Sequence, residues 1–191
     1  VCYNQANVKM FGLNAGASYG PLASTHHSLD DISVMRGFGN VQIFAPADAL
    51  ECRQIVDYAL RYHGPVYIRL DGKALPDLHT VDYQFAPGQV DILRQGADVS
   101  IVALGSVVHE ALDAARVLAE HGIQAQVINL SSIRPLQRDV LLSALREGAI
   151  PVAPRGDWRS LLARPAIRCA LAVTAIGHGL MILVMNATPL A

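Results

Sequence analysis

A histidine pair and one arginine carry most of the chemistry this 191-residue sequence offers. His26 and His27 stand just ahead of an apolar-periodic segment, and Arg69 stands at the end of a short apolar run. An imidazole exchanges a proton near neutrality, and a planar guanidinium grips a phosphate or carboxylate through paired hydrogen bonds. Brought to one rim, the two suit an anionic substrate. Adjacent histidines at a helix start do not converge on one ion, and no third ligand is spaced to help, so the pair does not read as a metal centre. Plainer readings remain open: His26 as a surface capping group, His27 as peripheral, Arg69 as a strand-end charge reaching for water. Gly12, Gly16 and Gly20 lack the spacing of a dinucleotide fingerprint. No Ser-His-Asp set, P-loop or Cys-x-x-Cys pair is present.

The elements that must position these residues are legible from periodicity. Ser28 and Asp31 have the spacing of a capping box before Leu29, Ile32 and Met35, which predicts a helix with His26 at its mouth. Val41 to Ala45 reads as a buried strand ended by Pro46. Asp48 and Glu51 repeat the capping signal before Cys52, Ile55, Val56, Ala59 and Leu60, one face of a second helix that Gly64-Pro65 stops. A strand from Val66 to Leu70 follows. In a parallel α/β sheet, strand carboxyl ends and helix amino ends share the edge where ligands bind, which places His26 and Arg69 together. Downstream, Val99 to Leu104 reads as a strand, then a helix with Val108, Ala111, Leu112, Ala115 and Leu118 on one face. Gly122 is its expected C′ residue, and His121 suits the negative end of its dipole. A strand from Ile123 to Leu130 and a helix ending near Glu147 complete a crossover unit.

The fold class is therefore α/β, with two consecutive parallel-sheet units. The first spans 1–75, a turn-rich linker 76–95, the second unit 96–150, and an atypical apolar tail 151–191. Within the tail the apolar run 169–185 approaches the length of a bilayer span, but two glycines and His178 weaken that reading. A foreign ending is favoured, with a buried core segment behind it. Net charge is −1 and no basic run occurs, which gives no reason to expect nucleic acid or an anionic membrane as partner. Cys2, Cys52 and Cys169 are too few and too scattered for a disulfide framework, which favours a cytoplasmic setting. Val1 is not an ordinary start, and the chain is expected to be a piece of something longer.

The run THHSLDDISVMR, a short link, then VQIFAPADALE resembles the pyrimidine-binding domain of the transketolase family, whose pattern reads roughly G-E-D-G-x-T-H-Q, E-D-I-x-x-M-R and P-A-D-x-x-E. VCYNQANVKMFGLNAG resembles the strand and glycine loop before that motif, and GPVYIR the strand that ends in a phosphate-binding arginine. Residues 96–150 resemble the start of the family's C-terminal domain. The resemblance implies a thiamine diphosphate enzyme with magnesium, passing a two-carbon ketol unit between sugar phosphates. It makes His26 the group facing the reactive carbon and the substrate oxygen, and Arg69 the phosphate grip. Asn14 falls where the family has a second histidine, and remains able to hydrogen-bond the sugar.

Departures from the family pattern are equally specific. Leu22 falls on a sugar-binding aspartate, and the glutamate that protonates the aminopyrimidine is absent, as is a diphosphate-metal motif of GDG type. The resemblance thus implies a complementary chain carrying the cofactor domain, in a homodimer or heterotetramer. The chain alone is not expected to bind the cofactor. Two alternatives stand beside this: a relative such as 1-deoxyxylulose-5-phosphate synthase or the beta component of an oxo-acid dehydrogenase, and a catalytically empty association module.

Overall fold

The computed structural model describes residues 1–18, 22, 25–72, 74–147 and 182–184. Two four-stranded sheets organise the chain. The first contains β1 (Lys9–Gly12), β2 (Gln42–Phe44), β3 (Val66–Arg69) and β7 (Ser132–Arg134), in the order β1-β3-β2-β7. The second contains β4 (Asp91–Arg94), β5 (Val99–Ala103), β6 (Ala125–Asn129) and β8 (Ile182–Val184), in the order β4-β6-β5-β8. Among the described residues four helices pack around them: α1 (Asp31–Gly37), α2 (Ala49–Arg61), α3 (Val107–Glu120) and α4 (Arg138–Glu147).

The pairs β1·β3, β2·β3 and β5·β6 are parallel, as strands joined through helices require. The antiparallel pairs all involve an outer strand: β7 on β2, β4 on β6 and β8 on β5. Alternation sorts the cores. Val99, Ile101 and Ala103 of β5 face α3 with Val108, Ala111 and Ala115, while Val102 joins Ile128, Ala144 and Leu145 on the α4 side. In the first sheet Phe44, Val66 and Ile68 pack on Ile55 and Ala59 of α2, and Ile43 and Tyr67 face the other way.

Three readings of the sequence need correction. Ser28 and Asp31 do not form a capping box: α1 begins at Asp31, and its N-cap, Asp30, makes no side-chain cap bond. Ser28 instead bridges Gly16, and Leu29 is 72% exposed. On α2, Leu60 is 71% exposed, because the buried stripe runs through Glu51, Ile55 and Ala59. The segment 76–95 is not merely a linker, since β4 within it pairs with β6 and its Leu78, His79, Tyr83 and Phe85 bond to side chains of α2 and its cap. The second unit also returns a strand to the first sheet through β7. Gly122 closes α3 as expected, at φ +77, with Ile123 N–H donating to Leu118 O at 3.0 Å. Residues 182–184 of the apolar run pair with β5. The rest of 151–191, and with it the reading of that segment as foreign, lies outside the described residues. No described helix is long and apolar enough to cross a membrane.

Candidate functional site

The carboxyl edge of the first sheet gathers three loops. Arg69 ends β3, and its Nη2 donates to Ser28 O at 3.4 Å, so it reaches the loop that holds His26 two residues earlier. Gly16 and Ser28 exchange backbone hydrogen bonds at 3.0 and 2.9 Å, which ties the glycine loop to the same segment. Asn14, at φ +56, lies against Gly72, where a Cβ would meet its Oδ1. Gly12 sits opposite Arg69 in the β1·β3 register, and an added Cβ there would strike the Tyr67 hydroxyl. Asn14, His26 and Arg69 therefore belong to neighbouring loops of one edge.

Their individual settings differ from the simplest expectations. His26 lies in a short 3₁₀ turn five residues ahead of α1 rather than at its mouth, exposed, with Nδ1 3.0 Å from Thr25 Oγ1. The His27 ring is half-buried, with Nε2 inside and without a hydrogen-bond partner among the described residues. Arg69 does not reach for solvent. Its side chain is 9% exposed, and Nε donates to Asp31 Oδ2 at 2.9 Å and Oδ1 at 3.2 Å. Tyr67 O–H donates to the same carboxylate at 2.7 Å, and burial together with Asp31 raises its pKa. Asp31, which the sequence offers as a helix cap, is thus the anion that holds Arg69. Its place in the register of α1 against β3 is a tertiary fact with no local signal.

A second polar cluster lies where the two units meet. Asp48 caps α2, accepting from Glu51 N–H at 2.7 Å, and also accepts from Leu78 N–H, His79 N–H and the His79 ring at 2.7–2.8 Å. Burial favours the neutral acid, yet these donors together hold its pKa below the ordinary value. Glu51, fully buried, accepts from Ala47 N–H at 2.7 Å and from Asn129 Nδ2 at 3.1 and 3.2 Å. Tyr83 O–H lies between Glu51 Oε1 and Asp91 Oδ2, at 2.9 and 3.1 Å. Burial opposes a charge on His79, but Asp91, Glu51 and Asp48 outweigh it and lift the ring to about 9. Burial and the neighbouring Glu51 and Asp48 push the Cys52 thiol up, away from reactivity. The capping signal at Asp48 and Glu51 is visible in the sequence. His79, Tyr83, Asp91 and Asn129 are not, because they join it from distant segments.

Family models match the chain in two stretches: the transketolase pyrimidine-binding domain over residues 1–77 and the transketolase C-terminal domain over 88–160. The second match runs beyond residue 150, into the segment that reads from the sequence as an atypical tail. One of the apulose-4-phosphate transketolase subunits of Actinobacillus succinogenes is 63% identical over 147 residues, 77% of this chain and 47% of that protein. 1-Deoxy-D-xylulose-5-phosphate synthase 1 of Geobacter sulfurreducens is 37% identical over 149 residues, 76% of this chain and 23% of that one. A solved split-gene transketolase, described as an inactive beta4 tetramer, superposes with a TM-score of 0.68 at 39% identity, covering 76% of this chain and 47% of that one. The chain spans about half the length of the split-transketolase polypeptides it matches. With both domain types in order and the α/β architecture in agreement, the chain belongs to the transketolase family, as a C-terminal section akin to the matching polypeptide of the split enzymes.

Proposed function

We propose that the chain forms the substrate-gripping side of an enzyme that moves a two-carbon ketol unit between sugar phosphates, acting with a complementary chain that carries the cofactor-binding domain. The observation that carries this reading is the convergence of Arg69, Asn14 and the His26 loop on one sheet edge within a family-matched domain. Arg69 holds the sugar phosphate, and Asp31 fixes the plane of its guanidinium. Asn14 hydrogen-bonds a sugar hydroxyl. His26 donates to the substrate oxygen as charge develops there. The name of the 63%-identical relative makes apulose 4-phosphate the first sugar to try.

Thiamine diphosphate supplies the carbanion chemistry when bound. The described carboxylates at this edge do not assemble a magnesium site: Asp31 is held by Arg69 and Tyr67, and Asp71 keeps only Oδ1 open, its Oδ2 accepting from Ser106 Oγ at 2.5 Å, with no cluster of three ligands there among the described residues. The metal and diphosphate belong to the partner chain, in an assembly of homodimer or heterotetramer type. A purified sample of this chain alone is expected to show no turnover of a ketose phosphate, and adding the complementary chain with cofactor restores it. Turnover by the isolated chain would sink the reading.

A second reading is favoured by the Asp31–Arg69 pair: the guanidinium is already neutralised, as in an association module without catalysis. Arg69→Ala in the reconstituted enzyme separates the two. Loss of a charge-assisted phosphate contact of about 1.5–3 kcal/mol raises KM for phosphorylated sugars roughly 10- to 100-fold and spares non-phosphorylated ones. Equal losses for both sugar types would identify a structural arginine.

A further inference from the structure

Away from the substrate edge, His79 stands in an arrangement that its hydrogen bonds do not complete. Its side chain is 4% exposed, and Nδ1 is 2.7 Å from Asp48 Oδ2, a carboxylate that also takes the His79 backbone N–H. That contact fixes the ring and places the Nδ1 proton toward Asp48. The other nitrogen, Nε2, is buried without a hydrogen-bond partner among the described residues and lies 3.7 Å from Asp91 Oδ2, beyond hydrogen-bond range. Glu51, His79 and Asp91 each offer one donor atom, all within 4.8 Å of one another. Beside them, Asn129 Oδ1 is a further buried acceptor without a partner among the described residues.

The single Tyr83 O–H between the two carboxylates donates to one of them at a time, which leaves the other facing the unpartnered Nε2 of the ring, an arrangement that needs positive charge between them. The occupant is a second proton on the ring or a metal cation. The surroundings are those of a metal ligand set. A histidine that gives its far N–H to a carboxylate is the usual outer-shell arrangement of a metal-binding imidazole. The ligand carboxylate of Glu51 is likewise anchored from behind, by Ala47 N–H and Asn129 Nδ2. Ligands at about 2.0–2.2 Å from one ion lie at most about 4.4 Å apart, so the triangle closes on an ion with shifts of a few tenths of an ångström. One imidazole, two carboxylates and no thiolate suit zinc or manganese better than calcium or a soft metal.

We propose that Glu51, His79 and Asp91 form a three-ligand divalent metal site binding zinc or manganese, with the Tyr83 hydroxyl hydrogen-bonded to its carboxylates. The ligands come from α2, the connecting segment and β4, so the ion clamps the two units together. It is separate from the cofactor magnesium of the family and does not depend on the ketol-transfer reading.

The test is a titration of chelator-stripped chain with zinc chloride and manganese chloride, read by calorimetry and by thermal midpoint. One ion per chain is expected at micromolar concentration, with a rise of about 5–10 °C at a hundredfold excess over Kd. Asp91→Asn, at a partly exposed position, folds and loses both effects, as does His79→Gln. His121→Ala, at the end of α3, keeps them. Absence of an isotherm in the unaltered chain, or unchanged affinity in Asp91→Asn, overturns the proposal, and the proton is then the occupant.

Discussion

Asp31 carries different work from what its spacing suggests, and the difference is measurable. Removing one member of a buried ion pair leaves an unpaired charge and costs about 3–5 kcal/mol. Urea denaturation should therefore show a loss of that order for Asp31→Ala, while Ser28→Ala, which removes no cap, changes stability by less than about 0.5 kcal/mol. Equal effects would restore the capping box. His79 makes a second residue-scale prediction, for the chelator-treated chain. Its folded pKa of about 9 exceeds the ordinary 6.5, so folding binds the proton. The stabilisation is complete below pH 6.5 and drains away as pH rises toward 9. The groups that face the ring are Asp48 and Glu51 of α2 and its cap, Asp91 of β4, and Tyr83. His79→Gln should flatten this slope in denaturation curves taken from pH 6 to 9.5.

At the scale of elements, local rules work where the element is local. The Asp48 cap on the Glu51 N–H, the α3 stripe and its Gly122 terminus form as spacing predicts, because caps and periodicity act within a few residues. They fail for α1, a seven-residue helix with no buried residue, whose start is set by Asp31 meeting β3. They fail for β4, whose short DILR run has no strong period and is a strand only because β6 receives it. The α2 face is turned from where periodicity puts it, since Glu51 points inward to Asn129 and rotates Leu60 outward. Ile55→Ala should cost about 2–5 kcal/mol in urea denaturation, and Leu60→Ala less than about 0.5. A large loss at Leu60 would show the helix turned as the sequence suggests.

At the scale of the whole molecule, a boundary drawn at residues 75 and 96 separates pieces that the fold interlaces. β7 pairs with β2 of the first sheet, Ala45 N–H donates to Ser131 O at 2.8 Å, and His109 Nε2 lies 3.0 Å from Ala47 O. Expressed alone, fragments 1–77 and 96–150 should lack dispersed amide resonances and cooperative melts, whereas the full chain melts in one transition. Two independent transitions would return the units to autonomy. The late arrival of β7 also matters while the chain is being made. β3 ends at Arg69, and β7 begins at Ser132, 63 positions later. At roughly 5–20 residues per second, a ribosome needs about 3–13 s to deliver the missing edge. Strand pairing itself takes microseconds, so for seconds the nascent β2 offers Ile43 and Phe44 on an open border to any neighbouring polypeptide. Slow translation between codons 70 and 132 should therefore lower the yield of soluble chain, and a chaperone that shields strand borders should recover it.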